Sequence, residues 1–155
     1  MPVATAKVVL IDDHEMLRAG VRDLLASLPG YEVVGETSTA CAGLEIVESE
    51  RPDIVLMDVG LPGMDGILAT REIMRRVPES RVVVLSAHRQ PRDVMDAFNA
   101  GAVAYVLKED PPETLLQALD DVARGFRYVP PVLVASFKAI PTSGATGDDP
   151  TVPLH

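Results

Sequence analysis

The sequence predicts an α/β domain built on a doubly wound parallel sheet. Short aliphatic runs recur five times, with apolar side chains that would face both ways, as in strands buried between two layers of helix. Between them lie segments whose apolar residues fall at helical spacing. Strands that alternate with helices imply parallel pairing through right-handed crossovers.

The first strand is Lys7 to Ile11, ending in Asp12 and Asp13. A helix starts near His14; Leu17, Val21, Leu24 and Leu28 form its apolar stripe, and Pro29 and Gly30 stop it. Tyr31 to Glu36 reads as the second strand, centred on Val33 and Val34. The second helix, Ala40 to Glu50, carries Leu44 and Val47 inward, with Cys41 expected as inert packing. Pro52 and Asp53 open the third strand, Ile54 to Met57, which stops abruptly on Asp58. Gly60, Pro62, Gly63 and Gly66 punctuate the loop that follows. The third helix begins near Asp65 and ends before Pro78, with Thr70, Ile73 and Val77 on one face.

Val82 to Leu85 is the fourth strand and ends at Ser86. A fourth helix runs from Pro91 to Ala100 and is stopped by Gly101. The fifth strand, Ala104 to Leu107, ends at Lys108. For the fifth helix, Asp110 is the expected cap, Pro111 the first-turn residue, and Glu113 the partner reaching back in a capping box. Leu115, Leu119 and Val122 form its stripe, and Gly125 ends it. Pro131 to Ala139 suits a short extra helix. Beyond it, Pro141, Gly144, Gly147, Pro150 and Pro153 mark a linker or disordered tail. The expected division is a folded domain over residues 1–128 and a tail over 129–155.

With 155 residues, 47% of them hydrophobic, the chain suits one domain with a sizeable core. A net charge of −9 argues against this chain gripping a nucleic-acid backbone itself. One cysteine excludes an internal disulfide and fits a reducing compartment. No apolar run reaches membrane-span length and no signal-peptide pattern opens the chain, so a cytoplasmic location is expected.

Asp12 and Asp13, Asp58, Ser86 and Lys108 share one property: each lies at the carboxyl end of a predicted strand. In a parallel sheet those ends lie along one edge, where open α/β sheets place their ligands. Three acids brought together repel one another unless a cation joins them. Oxygen donors with room for water favour Mg²⁺. A carboxylate beside such an ion can act as a nucleophile toward a phosphoryl group, giving an acyl phosphate. Asp58 is therefore assigned as acceptor. Asp13, Asp58 and the backbone carbonyl of Gly60 are assigned as metal ligands, with Asp12 assisting through water. Lys108 and Ser86 are assigned to the phosphoryl oxygens. His14 and His88 have no partner at metal-ligand spacing and read as surface residues. Arg71, Arg75, Arg76 and Arg81 read as a solvated basic face.

Four stretches carry a resemblance: IDDHEMLRAG at Ile11 to Gly20, LMDVGLPGMDG at Leu56 to Gly66, VVVLSAH at Val82 to His88, and AGAVAYVLKED at Ala100 to Asp110. In this order and spacing they resemble the receiver domain of a bacterial two-component response regulator, and within that family the NarL/FixJ (LuxR-type) subfamily. The resemblance covers about Lys7 to Gly125. It implies a flavodoxin-like (βα)5 fold with strand order 2-1-3-4-5, Mg²⁺ as the cofactor, and phosphotransfer from a histidine kinase to Asp58. It implies no enzymatic activity beyond the protein's own phosphorylation and dephosphorylation. Transcription would be controlled through a carboxyl-terminal helix-turn-helix that binds DNA; this sequence lacks one, so it is expected to be either a stand-alone receiver or, as the linker-like tail favours, part of a longer protein. The resemblance further implies that Ser86 moves toward the phosphoryl group and that Tyr105 then turns inward. Dimerisation would use the first and fifth helices, around Leu17, Arg18 and Leu116.

The chain departs from the family pattern in three places. Glu109 follows Lys108 where many receivers have proline, and a trans bond is expected there. Gly60 has no side chain to orient an attacking water, which leaves the lifetime of the phosphorylated state open. Ser86 stands where threonine is commoner. Among rival functions, a flavodoxin-like redox protein would need small hydroxyl and glycine residues where Asp12 to Glu15 stand. An aspartyl phosphatase would carry a second acid where Gly60 stands. The serious alternative is a pseudo-receiver, an interaction module of the same fold that works without phosphorylation.

Overall fold

The structure, a computed structural model, describes residues 5–61, 64–134 and 151–153. Pro62 and Gly63 of the expected loop, and most of the expected tail, lie outside the described residues. The elements are β1 (Ala6–Ile11), α1 (Glu15–Ala26), β2 (Tyr31–Thr37), α2 (Ala40–Glu50), β3 (Ile54–Met57), α3 (Gly66–Arg76), β4 (Arg81–Ser86), α4 (Pro91–Ala100), β5 (Ala104–Leu107), α5 (Pro112–Ala123), β6 (Phe126–Tyr128) and β7 (Thr151–Pro153). The strands lie in the order β2-β1-β3-β4-β5-β6-β7. This contains the expected 2-1-3-4-5 order and adds two edge strands. Six strands are parallel; β7 runs antiparallel to β6.

Alternation along the central strands sorts the core into two layers. Val9, Ile11, Val55, Met57, Val82, Val84 and Tyr105 meet α2, α3 and α4 through Leu44, Val47, Ile73 and Val94. Val8, Leu10, Ile54, Leu56, Val83, Leu85 and Val106 meet α1 and α5 through Val21, Leu25, Leu115 and Leu119. Both faces of β3 are thus covered, as its unbroken aliphatic run requires. The register pairs Ile11 with Met57, Met57 with Val84, and Ser86 with Leu107. Asp12, Asp58 and Lys108 follow directly at the strand ends, so this register places them on one edge.

Several local expectations are corrected. The fifth helix begins one residue later than expected: Pro111 is its cap and Pro112 its first residue, with no side-chain cap from Asp110. A proline holds the residue before it extended, and Pro111 obeys at φ −65 and ψ 157. Cys41 is exposed rather than packed. The expected solvated basic face is largely ion-paired: Arg75 and Arg76 engage Glu72, and Arg76 also engages Glu48. Arg81 donates to the carbonyl of Val122 at the end of α5. The expected helix from Pro131 opens as a 3-10 turn, Pro131–Leu133, followed by helical Val134, and the rest of it lies outside the described residues. Thr151–Pro153, expected as tail, forms β7 beside β6. No helix among the described residues is long and apolar enough to cross a membrane.

Candidate functional site

Three strand ends bring the acids together. The backbone N–H of Asp58 donates to the carbonyl of Ile11, and that of Asp12 donates to Thr37, so the sheet ladder fixes both residues one step past their strands. The Lys108 N–H bonds the Ser86 carbonyl in the same way. Asp12, Asp58 and Ser86 are buried, Asp13 is exposed, and the Lys108 side chain is 14% exposed.

Lys108 Nζ donates to Asp58 Oδ2 at 3.0 Å and lies 3.4 Å from Asp12 Oδ2. The Gly60 N–H donates to Asp58 Oδ1 at 3.0 Å. Burial acts most strongly on Asp58 and pushes its pKa up, but the Gly60 N–H and the Lys108 ammonium together outweigh it. The net shift is downward, so the carboxylate stays ionised at neutral pH. Asp12 moves the other way. Burial raises its pKa, the charge of Asp58 adds to the rise, and the His14 N–H and Lys108 offset only part of it. One ammonium therefore serves two carboxylates unequally.

Each loop has a structural anchor. The His14 N–H caps Asp12 Oδ1 at 2.8 Å where α1 begins. Arg18 donates to the Asp12 carbonyl at 2.6 Å and to Glu36 on β2 at 3.0 Å, and Glu36 also accepts from Arg22. At Gly66, a Cβ would run into the carbonyl oxygen of Asp58 and the Cα of Val59. Only glycine lets the start of α3 approach the acceptor loop so closely. Asp65 then caps α3 by accepting from the Ile67 N–H.

The expected site residues Asp12, Asp13, Asp58 and Lys108 do converge. Gly60 contributes its N–H to Asp58. Ser86 lies at the end of β4 with its hydroxyl accepting from the His88 N–H at 3.0 Å, rather than capping a helix; Gln90 caps α4. Tyr105, the expected switch residue, is fully buried in the core and donates to the His88 carbonyl at 2.8 Å. The Lys108–Glu109 bond is trans, as expected.

His14 is exposed, as expected, but it does not lack partners: its Nδ1 lies 3.0 Å from Lys108 Nζ and within 4 Å of an oxygen of Asp12, Asp13 and Asp58. Its position directly after two acids at a helix start was the available signal. Arg18, on the first helix, is engaged within the chain by Glu36 and the Asp12 carbonyl, and its side chain is 16% exposed. The donor atoms of Asp12, Asp13, His14 and Asp58 all lie within 4.8 Å of one another. Three convergent carboxylates, two of them in contact with the Lys108 ammonium, suit a divalent cation, so the donor set fits a metal.

A family model described as the response regulator receiver domain matches residues 8–120. The nitrate/nitrite response regulator protein NarL of Escherichia coli (strain K12) is 41% identical over 138 residues, which cover 86% of this chain and 64% of that protein. The transcriptional regulatory protein DegU of Brevibacillus brevis is 38% identical over 125 residues, covering 81% of this chain and 53% of that protein. Among solved structures, a two-component response regulator of the LuxR family from Aurantimonas sp. SI85-9A1 superposes with a TM-score of 0.83 at 36% identity. That match covers 88% of this chain and 100% of the other. The chain thus spans less than two thirds of the length of both curated relatives.

Proposed function

This chain belongs to the response regulator receiver domain family, and from that premise we propose that it accepts a phosphoryl group on Asp58 from a histidine kinase in a Mg²⁺-dependent reaction. The observation that carries the proposal is a buried Asp58 carboxylate, held ionised by Gly60 and Lys108 at the edge where the other acids converge. A carboxylate oxygen of Asp58 attacks phosphorus. The bond from phosphorus to the donor imidazole nitrogen breaks, and that nitrogen leaves with the electron pair. Asp13 and Asp58, the Gly60 carbonyl, and Asp12 through water would hold the Mg²⁺. Bound there, the ion supplies positive charge to the transferring oxygens. Lys108 supports the same oxygens from the β5 side, and Ser86 offers its hydroxyl. The chain acts on no other substrate; its own phosphorylation and dephosphorylation are the reaction.

Readout runs through Ser86 and Tyr105. When Ser86 turns to the phosphoryl group it releases the His88 N–H, whose residue Tyr105 also holds. The resulting surface change favours a homodimer through α1 and α5, around Leu17 and Leu116, with a further DNA-binding domain as the output. This work takes place in the cytoplasm.

The test is incubation of the purified chain with Mg²⁺ and acetyl phosphate, read by intact mass. A single hydroxylamine-sensitive phosphoryl adduct is expected, absent without Mg²⁺ and absent from Asp58→Asn and Asp58→Ala. An adduct that persists on either variant overturns the assignment. No adduct on the natural chain would favour an interaction module that works without phosphorylation.

A further inference from the structure

We propose that His14 adds an imidazole nitrogen to the metal site, so that the site favours first-row transition ions over Mg²⁺ more strongly than its carboxylates alone would. The inference rests on the metal site proposed above. His14 Nδ1 lies 3.2 Å from Asp12 Oδ1, 3.5 Å from Asp13 Oδ1 and 3.8 Å from Asp58 Oδ2. Ligands about 2.1 Å from one ion sit roughly 3–4 Å apart, so these separations let His14 share an ion with Asp13 and Asp58, with Asp12 reached through water.

The same Nδ1 atom lies 3.0 Å from Lys108 Nζ, so the ring faces the pocket in which the carboxylates converge. The backbone fixes this placement, because the His14 N–H donates to Asp12 Oδ1 and the residue caps α1. His14 is 65% exposed on its side chain, so its substitution removes a donor and no core packing. Nitrogen donors suit Mn²⁺, Co²⁺ and Ni²⁺ better than they suit Mg²⁺, which prefers oxygen and water. His14 is thus a specificity-determining residue of the site.

The test loads the untagged chain with Mn²⁺ and records electron spin echo modulation from ¹⁴N. The natural chain is expected to show a directly bound imidazole nitrogen, and His14→Ala and His14→Gln to lack it. In calorimetric titrations, both substitutions should weaken Ni²⁺ binding by about tenfold or more, while Mg²⁺ binding changes by less than about twofold. Bound Mn²⁺ without nitrogen modulation in the natural chain overturns this inference and leaves the receiver reading standing. Nitrogen modulation or Ni²⁺ affinity unchanged in both His14 variants also overturns it. Failure of the natural chain to bind Mn²⁺ at all, or binding that survives Asp13→Asn combined with Asp58→Asn, overturns the metal site itself.

Discussion

Lys108 Nζ and Asp58 Oδ2 meet at 3.0 Å although 50 positions separate them in sequence. The same ammonium lies 3.4 Å from Asp12 Oδ2. Removing it leaves two buried carboxylates facing each other without a counter-charge. Lys108→Ala should therefore lower stability by about 3 kcal/mol in urea denaturation without divalent ions. Added Mg²⁺ should narrow the gap, and phosphorylation by acetyl phosphate should fall by at least about tenfold. Equal urea midpoints for the variant and the natural chain would contradict this account.

Asp12 carries a distinct pH signature. Its pKa in the folded state is raised above the ordinary value of 3.8, chiefly by burial. Folding therefore favours its protonated form. Its contribution to stability is fully present below the unfolded value and is lost as pH rises through the folded pKa. At neutral pH the ionised group is a burden. Asp12→Asn, which keeps an acceptor for the His14 N–H, should raise the urea midpoint at pH 7 in metal-free buffer. The gain should disappear as pH falls below the ordinary value. A gain that is as large in acid as at pH 7 would exclude ionisation as its cause.

Two glycines of the acceptor loop should respond oppositely to the same substitution. A Cβ at Gly66 collides with the backbone of Asp58 and Val59, whereas one at Gly60 meets, among the described residues, only Asp58 Oδ1 at 3.7 Å. Gly66→Ala should lose about 1–3 kcal/mol and displace Asp58, slowing phosphorylation as well. Gly60→Ala should stay within about 0.5 kcal/mol of the natural chain. Thermal and urea unfolding of the pair, side by side, measures the contrast.

Tyr105 joins ring packing to one hydroxyl bond. Tyr105→Phe keeps the ring and loses the hydroxyl, with its bond to the His88 carbonyl, at a cost of about 1 kcal/mol. Tyr105→Ala also empties a fully buried site and should cost about 3–5 kcal/mol. Hydrogen exchange should rise in the segment between β4 and α4 in Tyr105→Phe, while β1 and β3 keep their protection. Unchanged exchange there would show that the hydroxyl does not restrain this segment.

The main site was legible in the sequence because parallel pairing turns strand ends into neighbours. Once Ile11, Met57 and Leu107 were placed as last strand residues, Asp12, Asp58 and Lys108 had to share an edge. The place of His14 was not legible, because it depends on how α1 turns its first residue back over the loop. Nor were β6 and β7, whose three residues each are too short to show a period. β6 joins the sheet through the single pair Ala104 and Tyr128. The start of α5 was misplaced by one residue because Pro111 and Pro112 are both possible first-turn prolines. The extended backbone at Pro111 decides between them. The bonds of Arg18 to Glu36 and the Asp12 carbonyl were not legible, because these partners lie on other elements.

His88 is held at both ends: Ser86 receives its N–H and Tyr105 donates to its carbonyl. Between these anchors lie only the two rotatable backbone bonds of one residue. A displacement of the serine therefore reaches the tyrosine as torsion about those bonds, and no layer of the core has to separate. Loop rotations of this kind take nanoseconds to microseconds, against microseconds to milliseconds for the shifting of packed elements. The local response of this segment is then set by a single-residue twist.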